Sequence, residues 1–186
     1  MNGYGTKTSR DCSETYRGYF KDGCYEGKGE WTTVDGDRYF GDFHMDLKEG
    51  QGEYTWPDGA KYTGSFKEDL FDGEGVWMLA NGDSYEGHHS AGRRDGHGVY
   101  TAASGATYVG EFRKNKFEGR GAWRTAEGDR TFKGTFIAGC PLSGTLTNAA
   151  GQRLQVTFSG EEPLLRGGDV LGKPLTRACD MMDQAA

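Results

Sequence analysis

The sequence lacks any long hydrophobic run. Its longest apolar stretches resemble Val76–Ala80, far short of the roughly 18 residues that a membrane-spanning helix needs. The first residues, up to Ser13, contain no apolar segment of the kind that a secretory signal peptide requires. From the sequence alone we therefore expect a soluble protein located in the cytoplasm.

Cysteines are few and isolated. The four cysteines match no zinc-binding spacing such as CxxC, and they are Cys12, Cys24, Cys140 and Cys179. Because the interior of a cell keeps isolated thiols reduced, we expect four free cysteines without a function.

Catalytic signatures are also missing. The GxG pairs never extend to GxGxxG, and there is no GxSxG elbow. The segment from Gly5 to Thr8 lacks the upstream glycine of a phosphate-binding loop. The sequence therefore predicts a protein that is not an enzyme and uses no cofactor.

Glycine and aromatic residues are abundant instead. The chain contains 32 Gly, 10 Tyr, 10 Phe and 4 Trp, although only 34% of its residues are hydrophobic. Disordered chains are rich in glycine but poor in aromatic residues. This combination therefore predicts an ordered structure without an ordinary globular core.

Both residue types recur every 23 residues. One aromatic column contains Tyr16, Tyr39, Tyr62, Tyr85 and Tyr108, and another contains Trp31, Tyr54, Trp77, Tyr100 and Trp123. Glycines keep the same period, for example at Gly18, Gly41, Gly64, Gly87 and Gly110. A fixed period of this length is the signature of a repeat protein.

The repeats define the domain boundaries. Residues 1–14 are interpreted as part of a preceding repeat, and residues 15–160 as the array. Five clear units cover 16–130, and degenerate units cover 132–153 and 154–160. In the tail, 161–186, an apolar stripe predicts a short helix over 174–184, which either caps the array or docks a partner.

The repeat closely resembles the MORN (membrane occupation and recognition nexus) family. The pattern is carried by YFGDFHMDLKEGQGEYTWPDGAK, YTGSFKEDLFDGEGVWMLANGDS and YVGEFRKNKFEGRGAWRTAEGDR. The resemblance implies a scaffold or adaptor, associated with the cytoskeleton or a membrane, that binds partner proteins and self-associates. It also implies, as the alternative, a peripheral membrane module that binds phosphoinositides.

Alternation within each unit predicts β-strands, because residues two apart share a face. Pairing Gly110 with Gly121 places Glu111 opposite Arg120, and the same offset places Arg17 opposite Glu30. Glycines on the aromatic face leave room for each ring to lie over bare backbone. The predicted fold is all-β, an elongated, curled antiparallel meander of about seven stacked hairpins.

Three surfaces are candidate contacts for partners. The predicted groove aromatics are Tyr39, Tyr62, Tyr85, Tyr108, Trp31, Trp77 and Trp123. The predicted patch for an anionic partner is Arg93, Arg94, Arg113, Lys114, Lys116, Arg120 and Arg124. A homodimer, placed at the degenerate end of the array, would use Phe132, Phe136, Leu142, Leu146 and Phe158.

Charge separates the candidate partners. Residues 16–84 carry 7 basic and 15 acidic side chains, whereas residues 85–139 carry 9 basic and 6 acidic ones. Weak binding of anionic lipid would depend on the basic half and fade as ionic strength rises. Groove binding would instead depend on aromatic residues. Nucleic acid is a poor candidate, since the pI is about 5.3.

The histidines leave one metal hypothesis open. In the uniform register, His88 lies opposite His97, and two imidazoles are half of a zinc site that a second copy would complete. A solvated pair of histidines without metal is the stronger interpretation. No metal is therefore assigned.

Overall fold

The computed structural model describes residues 2–159 and 162–164, and these residues form β-strands, turns and no helix. No helix in this part of the chain is long and apolar enough to cross a membrane. The strands are β1 Gly3–Thr8, β2 Glu14–Lys21, β3 Cys24–Thr33, β4 Arg38–His44, β5 Leu47–Thr55, β6 Lys61–Lys67, β7 Leu70–Met78, β8 Ser84–Ser90, β9 Arg93–Thr101, β10 Thr107–Arg113, β11 Lys116–Arg124, β12 Arg130–Ile137, β13 Cys140–Asn148, β14 Arg153–Ser159 and β15 Glu162–Leu164.

The chain divides into two compact units. The first unit comprises Met1–Ala80 and Glu86–Arg93, and the second comprises Asn81–Tyr85 and Arg94–Ala186. Within the first unit, each strand from β1 to β6 pairs antiparallel with the next strand in sequence. Within the second, each strand from β9 to β14 does the same. The predicted all-β meander of hairpins is confirmed, while the helix predicted over 174–184 lies outside the described residues.

The register is confirmed on one side of the paired glycines and wrong on the other. Arg17 pairs with Glu30, and Gly110 with Gly121, as predicted. Glu111, however, pairs with Glu118 instead of Arg120, because a β-bulge at Gly119 and Arg120 shifts the register between Gly110 and Glu111. Gly119 adopts a φ of +60° in that bulge, and the Glu111 carboxylate accepts a hydrogen bond from the Arg120 N–H at 3.3 Å.

A two-residue turn joins the two strands of each hairpin. Met45 and Asp46 have φ values of 48° and 69°, which is the left-handed conformation of a type I′ turn. The Asp46 N–H donates to the carbonyl of Tyr25 in the preceding repeat at 3.2 Å, and Glu26 accepts from the Met45 N–H at 3.4 Å. The same acidic column binds the later turns through Glu49, Asp72, Asp95 and Glu118. Many acidic side chains of the repeat therefore hold successive hairpins together.

Each column tyrosine lies in a slot made by two glycines. Tyr39 has no exposed surface, and a Cβ on either Gly41 or Gly52 would overlap its ring. The Tyr39 hydroxyl donates to the carbonyl of Asp42 at 2.9 Å. The predicted packing of rings over bare backbone is therefore confirmed. We call this sheet face the inner face and the opposite one the outer face.

Ring edges connect one repeat to the next on the inner face. Phe43 meets Tyr39 of its own repeat at 5.0 Å with an interplanar angle of 90°, and meets Tyr16 of the preceding repeat at 5.0 Å and 85°. Edge-to-face contacts of this kind add about 0.5–1.5 kcal/mol each beyond burial. The core is thus a row of interlocked rings.

Alkaline pH should unfold the protein because several of these phenols are buried. Burial raises the pKa of Tyr16 to about 12, and burial together with the Asp37 hydrogen bond raises the pKa of Tyr54 to about 12. Phenols of an unfolded chain ionise near pH 10. Their contribution to stability is therefore complete below about pH 10 and is lost as pH rises towards about 12.

The expected result is a melting temperature that falls steeply across this window, with tyrosinate absorbance appearing together with unfolding. Circular dichroism and ultraviolet absorbance on the same samples measure both. A melting temperature that stays constant between about pH 10 and 12 would contradict the prediction.

Candidate protein-binding face

A stripe of partly buried aromatic side chains runs along the inner face of the first unit. It consists of Tyr25, Trp31, Tyr54, Trp56, Phe71 and Trp77, which pack against the buried tyrosine core. Neighbouring rings touch: Tyr54 and Trp56 have centroids 4.7 Å apart, and Trp56 and Trp77 are 6.1 Å apart. We call these six residues the aromatic stripe. Solvent reaches part of each of these side chains.

Every second repeat places a cation where its neighbours place an aromatic ring. Tyr25 stacks in parallel on Tyr16 at 3.7 Å, and Phe71 stacks on Tyr62 at 3.8 Å. In the repeat between them the equivalent residue is Lys48. Its Nζ lies 4.6 Å from the Trp31 ring centroid and 5.6 Å from that of Tyr39. The ring faces of the first unit therefore accept an ammonium group as well as another ring.

The second unit repeats this arrangement. Phe117 stacks on Tyr108 at 3.9 Å, and the Arg94 guanidinium lies 5.7 Å from the rings of both Tyr85 and Tyr100. Burial lowers the pKa of Arg94. The Arg94 side chain is partly buried against these rings, so it is less accessible to an anionic partner than the exposed members of the predicted patch.

From the second repeat onward, a carboxylate alternates with alanine at one position of the repeat, in step with the alternation of cation and ring. Asp37 accepts a hydrogen bond from the Tyr54 hydroxyl at 2.9 Å, and Asp83 accepts one from the Tyr100 hydroxyl at 2.8 Å. The intervening repeats have alanine at this position, Ala60 and Ala106. The structural period is therefore two repeats. The 46-residue spacing between Lys48 and Arg94 is the sequence signal of this alternation, and the 23-residue analysis missed it.

A cavity of about 350 Å³ opens beside Lys48 in the first unit. Aromatic rings form part of its wall and three carboxylates lie around it, and its lining residues are Lys7, Glu14, Tyr25, Trp31, Phe43, Asp46, Lys48 and Asp69. Glu14 accepts a hydrogen bond from Trp31 Nε1 at 3.0 Å, which fixes the indole ring. The cavity combines ring faces with charged groups of both signs.

Most of the predicted groove aromatics are not available to a partner. The four tyrosines Tyr39, Tyr62, Tyr85 and Tyr108 are fully buried, and Trp123 is 2% exposed. Their assignment as contact residues is wrong because their rings fill the glycine slots and the core. Only Trp31 and Trp77 belong to the aromatic stripe. Sequence reasoning missed its other members, of which Trp56 was detectable as an aromatic residue outside both columns.

The remaining basic residues of the predicted patch are on the surface. Arg93 is exposed in the first unit, and the exposed members in the second unit are Arg113, Lys114, Lys116, Arg120 and Arg124. These side chains are accessible to an anionic partner.

The residues predicted for a dimer contact lie mainly inside the second unit. Phe132, Phe136, Leu146 and Phe158 are buried in its hydrophobic core, whereas Leu142 is 39% exposed. The four buried side chains therefore offer no surface to a second copy. Leu142 alone remains a candidate contact.

The histidines are the candidate metal ligands, and the cysteines are expected to be free thiols. His97 pairs with Glu111 across β9 and β10, and the pairing of His88 with His97 stays a prediction. His89 replaces a core phenylalanine and is fully buried, with its ring 5.1 Å from that of Tyr62. In the described part of the chain, no group of three or more His, Cys, Asp or Glu residues is arranged to hold a metal. Cys140 is disulfide-bonded, so the expectation of four free thiols is wrong there.

Similar solved structures are distant. The TCP domain of SAS-4 from Drosophila melanogaster, determined in complex with a proline-rich motif of Ana2, is 15% identical over 83% of this chain and 90% of that chain, with a TM-score of 0.49. Virginiamycin B lyase from Staphylococcus aureus is 9% identical over 84% and 70% of the two chains, with a TM-score of 0.21. No curated protein matches significantly. These similarities carry no functional argument.

The repeat itself gives a clear assignment. The sequence profile of the MORN repeat matches five consecutive segments, residues 16–38, 39–61, 62–84, 85–107 and 108–130. The matched segments are the hairpins whose tyrosines occupy the glycine slots, and they cover more than half of the sequence. The chain therefore belongs to the MORN repeat family.

Proposed function

We propose that this chain is a non-catalytic scaffold that binds a segment of a partner protein along the aromatic stripe of its first unit. The observation that carries the proposal is a stripe of six partly buried aromatic residues on one sheet face. Contiguous apolar surface of this kind marks interaction sites on soluble proteins, and tryptophan and tyrosine are enriched in the parts of interfaces that dominate affinity.

The second unit supports the assignment by contrast. Tyr100 and Trp123, which occupy the same column as Trp31, Tyr54 and Trp77, are only 6% and 2% exposed. The repeat architecture can thus bury these positions, and the first unit leaves them accessible. This contrast supports a binding site in the first unit.

Trp56 is larger than the residues at the same position of the other repeats, and the packing of the repeat does not require a ring there. Other repeats carry Thr33, Leu79, Ala102 and Thr125 at this position. Trp56 nevertheless contacts Tyr54, Phe71 and Trp77, with ring centroids 4.7, 5.9 and 6.1 Å away. The other repeats fold without a large ring at this position. The ring of Trp56 lies at the centre of the stripe and is well suited to contact a partner.

Replacing Trp56 with threonine should remove partner binding while preserving the fold. Thr33 and Thr125 show that the repeat accommodates threonine there. Losing a central tryptophan anchor typically costs 2 kcal/mol or more, or roughly a thirtyfold loss of affinity. The measurement compares proteins captured by the immobilised wild-type chain and by Trp56→Thr from lysate of the source cells, using quantitative mass spectrometry.

Phe40→Thr is the matched control. Phe40 is 62% exposed on the outer face, and the next repeat has Thr63 at the same position. We expect partners that are lost with Trp56→Thr to be retained with Phe40→Thr. The proposal is wrong if both variants retain the same partners, or if only Phe40→Thr loses them.

A further inference from the structure

Two lysines of the chain itself lie over rings of the aromatic stripe. Lys48 Nζ lies 4.6 Å over the Trp31 ring and Lys7 Nζ lies 5.2 Å over the Tyr25 ring, and both lysines line the cavity beside Lys48. A cation over an aromatic face is attracted by the negative potential of the ring, most strongly over tryptophan. The walls of the cavity are therefore built to hold positive charge.

The carboxylates that line this cavity also favour a positively charged group. Asp69 lies 3.4 Å from Lys48 Nζ and pairs with it. Glu14 and Asp46 also line the cavity, so three carboxylates face two ammonium groups. Since the Lys48 side chain is only 16% exposed, its charge is largely enclosed by Asp69 and the rings. An incoming group meets Glu14, Asp46 and the single exposed cation of Lys7.

The net charge of the first unit also favours a cationic partner. Residues 1–80 and 86–93 contain 10 basic and 17 acidic side chains, a net charge of -7. A surface with this field attracts cationic segments and repels anionic ones during approach. The aromatic stripe is thus an apolar surface in an acidic unit.

Resting on the proposed function, we infer that the segment bound by the aromatic stripe is basic, and that the cavity beside Lys48 receives one of its arginine or lysine side chains. The guanidinium or ammonium group pairs with Glu14 and Asp46 beside the rings of Tyr25 and Trp31, whose faces already carry Lys7 and Lys48. The rest of the segment continues along Tyr54, Trp56 and Trp77.

Synthetic peptides of equal length test the inference by fluorescence anisotropy with the full chain. The three probes alternate serine with arginine, serine with glutamate and serine with alanine. We expect the arginine peptide to bind about tenfold more tightly than either of the others, and its affinity to fall several-fold in Trp56→Thr. Equal binding of all three peptides, a preference for glutamate, or no binding of the arginine peptide would overturn the inference.

Paired charge variants separate the cavity from the general field. The double variant Glu14→Gln and Asp46→Asn removes two charges from the cavity while keeping the hydrogen-bond acceptors used by Trp31 Nε1 and the Tyr25 N–H. The double variant Asp35→Asn and Asp58→Asn removes two exposed charges elsewhere in the unit. We expect about a fivefold loss of arginine-peptide affinity in the first and less than about a twofold loss in the second. Equal losses would show that the cavity is not the recognition site.

The outcome for the inference is separable from that for the proposed function. Peptides that bind through Trp56 without preferring positive charge would leave the scaffold proposal standing and refute a basic partner. Partner capture that does not depend on Trp56 would refute the scaffold proposal, whatever the peptides do.

Discussion

Gly64→Ala should destabilise the protein by about 3 kcal/mol, because the new methyl group has no space on the inner face. A Cβ at this position would lie 2.5 Å from the Cα of Gly75 and 2.6 Å from the carbonyl oxygen of Glu74. Both obstacles are backbone, so relief requires separating two paired strands, β6 and β7. The free energy of unfolding, measured by urea titration followed by circular dichroism, checks the expectation.

Gly23→Ala is the matched control for this effect. Gly23 has a φ of +91°, yet a Cβ there would have nothing within 4 Å. Its replacement should cost about 1 kcal/mol, the penalty for an alanine in the left-handed region. A Gly64→Ala protein as stable as Gly23→Ala would show that the tyrosine slot tolerates a side chain and that the glycine column has another cause.

Phe136→Asp should abolish the folded core of the second unit. Phe136 is fully buried, with its ring 4.9 Å from Tyr108 and 5.4 Å from Phe132. The variant loses about 3–5 kcal/mol of packing and also buries a carboxylate. The sum matches the entire stability of a typical domain. We expect the near-ultraviolet circular dichroism signal of the aromatic core to disappear.

The adjacent substitution Ile137→Asp is the control. Ile137 is 50% exposed, so the same chemical change there should cost less than about 1 kcal/mol. A folded Phe136→Asp protein that only becomes monomeric would restore Phe136 as a dimer contact. Self-association itself remains a proposal, and exposed residues such as Leu142 and Ile137 are the proper positions at which to test it.

The sequence period predicted the hairpins and the tyrosine slots because both depend on local rules. A glycine two residues after Tyr39, and another on the paired strand, are needed wherever a ring lies across backbone. Strand alternation then fixes which side chains share a face. These requirements recur in every repeat, so they are visible as columns.

The details of the candidate binding face were not predictable from columns alone. A regular spacing does not reveal where a strand bulges. The spacing therefore predicts Arg120 as the partner of Glu111, whereas the partner in the structure is Glu118. A recurrent tyrosine looks the same in sequence whether its ring is buried or exposed. The position of Trp56 and the enclosure of Arg94 depend on contacts between repeats, which a single-unit pattern does not record.

The alternation of ring and cation limits how an array of this kind changes in length. Removing the repeat that contains Phe71 would bring Lys48 and Arg94 into successive repeats, with like charges one hairpin apart. Removing a pair of repeats would leave the order of ring and cation unbroken. The backbone thus repeats every 23 residues, whereas ring and cation alternate every two hairpins from Tyr25 to Phe117. Gains or losses in even steps keep each of these cations between aromatic residues of the column.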